Sequence, residues 1–123
     1  MGGFGTVVLG IHKETGEKVA IKITKANAID NADDIDMIFA EAETLKVLSH
    51  DKIVKLHNCF LVKKTLQAYF IMEYLEGGEL LDYVQKHKTL PEEEAKNYFL
   101  QIVDAMEYCH GQKIIHRDLK LEN

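Results

Sequence analysis

The sequence predicts an α+β fold, in which a small antiparallel sheet carrying one helix is followed by a mainly helical half. Three observations point to it. Short runs rich in Val, Ile and aromatic residues recur up to Leu75, separated by turn-forming residues. One stretch among them, from about Asp33 to Leu48, instead places its apolar residues at three- and four-residue intervals. After Gly77-Gly78 the strand signals stop and helical ones take over.

Taken in order, Thr6 to Ile11 and Lys18 to Ile23 are predicted as a two-stranded hairpin, with Lys13-Glu14-Thr15-Gly16 as its turn. Ile35, Ile38, Phe39, Ala42, Leu45 and Leu48 then mark the inward face of a helix that must pack on these strands. Ile53 to Phe60 and Thr65 to Tyr74 are predicted as two further strands joined near Val62-Lys63-Lys64. Glu76-Gly77-Gly78 forms the connector between the two halves. A short helix from about Glu79 to Gln85 follows, and Pro91 opens a longer one. Glu92, Glu93 and Glu94 lie in its first turn, where carboxylates meet the positive end of the helix dipole. Ala95, Tyr98, Phe99, Ile102, Met106 and Cys109 are expected on its apolar face, with Gly111 as its C-terminal cap.

Composition narrows the function classes. The chain has 123 residues, 46% of them hydrophobic and 28% charged, with a single proline, which are ordinary globular proportions. A net charge of −5 with scattered lysines argues against nucleic acid or an anionic membrane surface as partner. No apolar run approaches the ~18 residues needed to cross a bilayer. Cys59 and Cys109 stand fifty residues apart inside apolar runs, so buried free thiols and an intracellular, cytoplasmic setting are expected. His12, His50, His57, His87 and His110 show no close metal-ligand clustering and are given no role.

Three segments can carry chemistry. Met1-Gly2-Gly3-Phe4-Gly5-Thr6-Val7 is rich in glycine, which lets a backbone approach phosphate oxygens and present amide hydrogens to them, with a valine placed to lie against a base. Val19-Ala20-Ile21-Lys22 sets a lysine on the second strand. It is either part of a solvated strand face or, if held towards the glycines, a counter-charge for phosphate that needs an acid to fix it. Glu41 on the helix is the candidate acid. The third segment is His116-Arg117-Asp118-Leu119-Lys120-Leu121-Glu122-Asn123.

Singly, the first two segments are weak signals. In this order, each in its expected context, they resemble the protein-kinase catalytic domain of the eukaryotic type, from Gly2 to Asn123. A dinucleotide-binding domain is disfavoured because Gly5 runs into a hairpin and not into a helix. Lys120 is similar to the serine/threonine branch, and Gly77-Gly78-Glu79-Leu80 is similar to the calmodulin-dependent and AMP-activated kinase group.

The resemblance implies a protein-kinase-like fold. Residues 1–75 would form the smaller lobe without its first strand and ending in the hinge, and residues 76–123 the start of the larger lobe through its catalytic loop. It implies ATP and Mg2+ as cofactors, a protein substrate, and phosphoryl transfer to serine or threonine hydroxyls. Gly2, Gly3, Phe4 and Gly5 would belong to the phosphate-covering loop, while Val7 and Ala20 would cover the adenine. Lys22 would hold the α- and β-phosphates and pair with Glu41. Met72 would guard the back of the pocket, the backbones of Glu73 and Leu75 would bond the adenine edge, and Glu79 would meet the ribose or a basic substrate side chain. Asp118 would orient the substrate hydroxyl and accept its proton, Lys120 would lie near the γ-phosphate, and Asn123 would ligate magnesium. Arg117 would pair with a phosphate on an activation loop. The family's Asp-Phe-Gly would follow Asn123, so the sequence is expected to be a fragment that does not transfer phosphate alone. The competing expectation is a non-catalytic module that binds nucleotide or a partner.

Overall fold

In the computed structural model, residues 5–24 and 32–122 are described. The chain divides into two compact units. Among the described residues, one comprises 5–24, 32–49 and 54–75, and the other 50–53 and 76–122.

The first unit is a four-stranded antiparallel sheet with one helix. Its elements are β1 (Gly5–Ile11), β2 (Lys18–Thr24), α1 (Ala32–Val47), β3 (Leu56–Val62) and β4 (Gln67–Glu73), and the spatial order of strands is β1-β2-β4-β3. The β1–β2 turn is closed by the His12 amide donating to the Glu17 carbonyl at 2.8 Å and the Gly16 amide donating to the His12 carbonyl at 2.8 Å. Gly16 takes φ +73 there, a left-handed conformation that glycine enters without a Cβ clash. At Gly5 the need for glycine is different: β1 and β2 approach so closely that a Cβ would run into the Ile23 carbonyl.

Helix α1 carries Asp33 and Asp34 in its first turn and Lys46 in its last, matching the sign of its dipole at both ends. It packs on the sheet through Ala42, which shares a buried cluster with Leu56, Ala68 and Phe70. Ile38, Leu45, Cys59, Leu61 and Met72 lie against this cluster. The inward stripe is thus Ile38, Ala42 and Leu45, and Phe39, expected on it, is 43% exposed. Phe39 follows Ile38 by one residue, about 100° around the helix, which turns it off the stripe. Burial pushes the Cys59 thiol above its ordinary pKa, and both cysteines are free.

Strand β3 starts at Leu56, later than the Ile53 expected from the sequence. The Ile53 amide instead donates to the His50 carbonyl at 3.1 Å, so the segment before β3 is a turn. Its apolar residues imitate a strand locally without pairing as one.

The second unit contains α2 (Leu80–His87) and α3 (Glu92–Gly111), preceded by Gly78 at φ +72. The Tyr83 hydroxyl donates to Glu94 at 2.8 Å, and the Tyr83 ring lies 4.2 Å from that of His87, centroid to centroid. The hydrogen bond to Glu94 clips α2 to the first turn of α3, while the ring contact with His87 lies within α2. The hydrogen bond to the Glu94 carboxylate holds the Tyr83 phenol above its ordinary pKa.

Two expectations for α3 are corrected. Its buried residues are Ala105 and Cys109, whereas Ala95, Phe99 and Ile102 are exposed, Phe99 at 63%. The expected stripe was too wide at its N-terminal end, because periodicity locates an apolar face without saying how much of it is covered. Gly111 is the last helical residue and does not take the left-handed cap position. The Lys113 amide donates to the His110 carbonyl at 2.9 Å and the Ile114 amide to the Cys109 carbonyl at 2.9 Å, with Lys113 at φ 61. This is a Schellman ending whose left-handed position is filled by lysine.

His50 belongs to the same unit as α3. Its ring centroid lies 5.0 Å from that of Tyr108, its Nδ1 accepts the Lys52 amide at 3.1 Å, and its Nε2 is 3.6 Å from Asp104. His50, Asp51 and Asp104 therefore come together although the sequence showed no cluster. Oδ1 of Asp51 lies 3.5 Å from Nδ1 and Oδ2 of Asp104 3.6 Å from Nε2, so the two carboxylates approach different ring nitrogens. Among the described residues, no helix is long and apolar enough to cross a membrane.

Candidate functional site

The residues singled out in the sequence fall in both units. In the sheet unit the strand register decides which of them share a face. Val7 stands opposite Lys22 and Leu9 opposite Ala20 across β1–β2, while Ala20 pairs with Met72 and Lys22 with Phe70 across β2–β4. Directly opposed residues project to the same side of a sheet, and alternate residues of one strand do so too. Val7, Ala20, Lys22 and Met72 therefore lie on one face. On β3 and β4 that face is covered by α1, whereas on β1 it is open, with Val7 61% exposed.

Lys22 is half-buried on this face. Its Nζ lies 3.1 Å from Oε1 of Glu41, which α1 brings in from nineteen residues away. Glu41 directly precedes Ala42, the residue of α1 most deeply set in the core, so the packing of the helix fixes where the carboxylate stands. The ammonium also lies over the ring of Phe70, 5.2 Å from its centroid. No motif in the sequence marks Phe70, because its place beneath Lys22 depends on strand pairing between distant segments.

At the end of β4, the Glu73 amide donates to the Lys55 carbonyl at 2.9 Å, and the Glu73 carboxylate accepts the Lys55 amide at 3.2 Å. Glu73 and Leu75 are exposed. Gly5 opens β1, and Gly2, Gly3 and Phe4 lie outside the described residues.

In the helical unit the charged loop after α3 has its own internal order. Nδ1 of His116 accepts the Asp118 amide at 3.2 Å, and Arg117 between them takes φ 68. His116 thus shapes the turn that carries Asp118. Nζ of Lys120 is 3.0 Å from Oδ2 of Asp118, and this hydrogen bond, reinforced by the carboxylate charge, holds the Lys120 ammonium above its ordinary pKa.

The loop is tied to α2 by the Leu81 amide, which donates to the Leu121 carbonyl at 3.0 Å. An amide in the first turn of a helix has no partner within that helix, so the loop satisfies a group that would otherwise need water. Glu79, the N-cap of α2, is exposed beside this junction. Asn123 lies outside the described residues.

The arrangement comprises an ammonium fixed by a carboxylate on an open sheet face, and a loop carrying a paired aspartate and lysine. Comparison with known proteins gives two findings. A family model described as the protein kinase domain matches residues 1–123. The maternal embryonic leucine zipper kinase of Danio rerio is 45% identical over 122 residues, an alignment covering 99% of this chain and 18% of that protein.

Proposed function

The chain belongs to the protein kinase domain family, and from that premise we propose that it forms part of an enzyme transferring the γ-phosphoryl group of ATP to serine or threonine hydroxyls of proteins. The observation that chiefly supports this reading is the Lys22–Glu41 pair at 3.1 Å on the open sheet face, where an oriented ammonium meets phosphate charge. Residues 1–75 then serve as the smaller lobe and 76–123 as the first part of the larger one.

Each residue has a task in that reaction. Gly2, Gly3, Phe4 and Gly5 form the loop whose amides cover the phosphates. Val7 and Ala20 supply apolar surface to the adenine, Met72 closes the rear of its pocket, and Lys22 holds the α- and β-phosphates. The amide of Glu73 is already committed to Lys55, so Glu73 contributes its carbonyl to the adenine edge and Leu75 its backbone beyond. Glu79 receives the ribose or a basic group of the substrate.

Asp118 aims the substrate hydroxyl and takes up its proton. Lys120, kept protonated beside it, faces the charge that develops on the transferred group. Because phosphoryl transfer passes through a loose transition state, this positioning and charge stabilisation supply most of the acceleration. Asn123 would supply a side-chain oxygen to Mg2+, a cation that prefers oxygen ligands and that when bound neutralises charge on the phosphates. Lys120 supports serine or threonine as acceptor, and the free thiols are in keeping with a reducing compartment.

The test is transfer of labelled phosphate from ATP by the full-length protein to peptides carrying serine, threonine or tyrosine. Transfer to serine and threonine, reduced about 100-fold or more by Asp118→Asn, is expected. Nucleotide binding without transfer, or transfer unaffected by the substitution, would reject the reading and favour a binding module.

A further inference from the structure

We propose that Phe70 is a positioning residue for Lys22, its ring face acting with the Glu41 carboxylate to hold the ammonium where it meets phosphate. The inference rests on the reading of Lys22 given above and adds a residue that no sequence motif marks.

A lysine ammonium sits on a flexible four-carbon stem, and one hydrogen-bonded partner leaves much of that freedom in place. The second restraint comes from the sheet. Lys22 and Phe70 are directly opposed in the antiparallel β2–β4 pair, so both side chains rise from the same face. Nζ lies 5.2 Å from the ring centroid, inside the ~6 Å over which the negative face of an aromatic ring attracts a cation. Lys22 retains only 25% of its side-chain exposure, so the attraction acts in a partly desolvated setting.

Phe70 is a stable reference point because it is only 1% exposed and shares its core cluster with Ala42, the neighbour of Glu41 on α1. One ring thereby sets the height of the lysine above the sheet and belongs to the packing that seats the glutamate. A leucine there would fill similar space and keep α1 in place, but would offer the ammonium no quadrupole. Phe70 does not touch the nucleotide; it acts through Lys22.

The test replaces Phe70 in the full-length protein with 4-fluoro-, 3,5-difluoro- and 3,4,5-trifluorophenylalanine, which withdraw charge from the ring face in steps at nearly constant volume. Each variant is scored by kcat, KM for ATP and thermal midpoint. KM for ATP is expected to rise stepwise, by about 2- to 5-fold across the series, with kcat and the midpoint little changed. A role in core packing alone would shift the midpoint and leave KM flat. Lys22→Met is measured beside the series. A flat KM with Lys22→Met inactive overturns the proposal alone, whereas a fully active Lys22→Met overturns both the proposal and the reading of Lys22.

Discussion

Thr24 is a buried polar side chain, 8% exposed, at the end of β2. Its Oγ1 accepts the Ala68 amide at 2.9 Å, and Ala68 is fully buried, so no water replaces that bond. Thr24→Val preserves the shape and β-propensity of the position but orphans the amide. It is expected to lower unfolding free energy by about 1–3 kcal/mol without altering the fold, as read by denaturant titration. The same face shows what sequence can and cannot reveal about single residues. Lys22, Glu41 and Asp118 stand out because their residue types recur at fixed spacings within local elements. Phe70 and the Thr24–Ala68 bond do not, since both depend on the register of β2 against β4, which links residues more than forty apart. Side-chain alternation shows that a strand has two faces; only pairing shows which neighbours share them.

Helix α3 shows the same division at the scale of an element. Pro91, three glutamates and the apolar periodicity locate its start and extent in the sequence. Its ending is less legible: glycine at position 111 is the residue the sequence marks as the cap, whereas the chain continues until Lys113 adopts the left-handed conformation. The hydrogen bonds of a Schellman ending, from the Lys113 and Ile114 amides, hold lysine in a conformation that costs a residue with a Cβ about 1 kcal/mol. Lys113→Gly removes that strain and also frees the unfolded chain, which offsets part of the gain. A net stabilisation of no more than about 0.5 kcal/mol, seen as a slightly higher thermal midpoint, is expected. Strand β3 starts later than the sequence predicts for a related reason: the residues from Ile53 are apolar enough for a strand, but the bond from Ile53 to His50 makes Ile53 the end of a turn. The docking of His50 against Tyr108 is a tertiary contact between segments nearly sixty residues apart, and no local pattern encodes it.

For the molecule as a whole, the α+β class and the family were legible in the order of weak signals more than in any one of them. Glycine loop, strand lysine, helix glutamate, glycine-broken connector and charged loop each fit many folds, but their sequence fits few. The two compact units carry different parts of the proposed machinery. In the sheet unit Val7, Ala20, Lys22 and Met72 share one face, open at β1 and covered by α1 at β4, and the helical unit bears Glu79, Asp118 and Lys120. The chain spans 18% of the length of its Danio rerio relative, so the substrates and partners of the whole protein are matters for experiment. The central claim, that Lys22 held by Glu41 binds the phosphates of ATP for transfer, is tested most directly by the turnover of full-length Lys22→Met. Loss of phosphotransfer with an unchanged thermal midpoint is the expected result, because a part-exposed ion pair contributes only about 0–1 kcal/mol to stability. Undiminished turnover in that variant would contradict the claim.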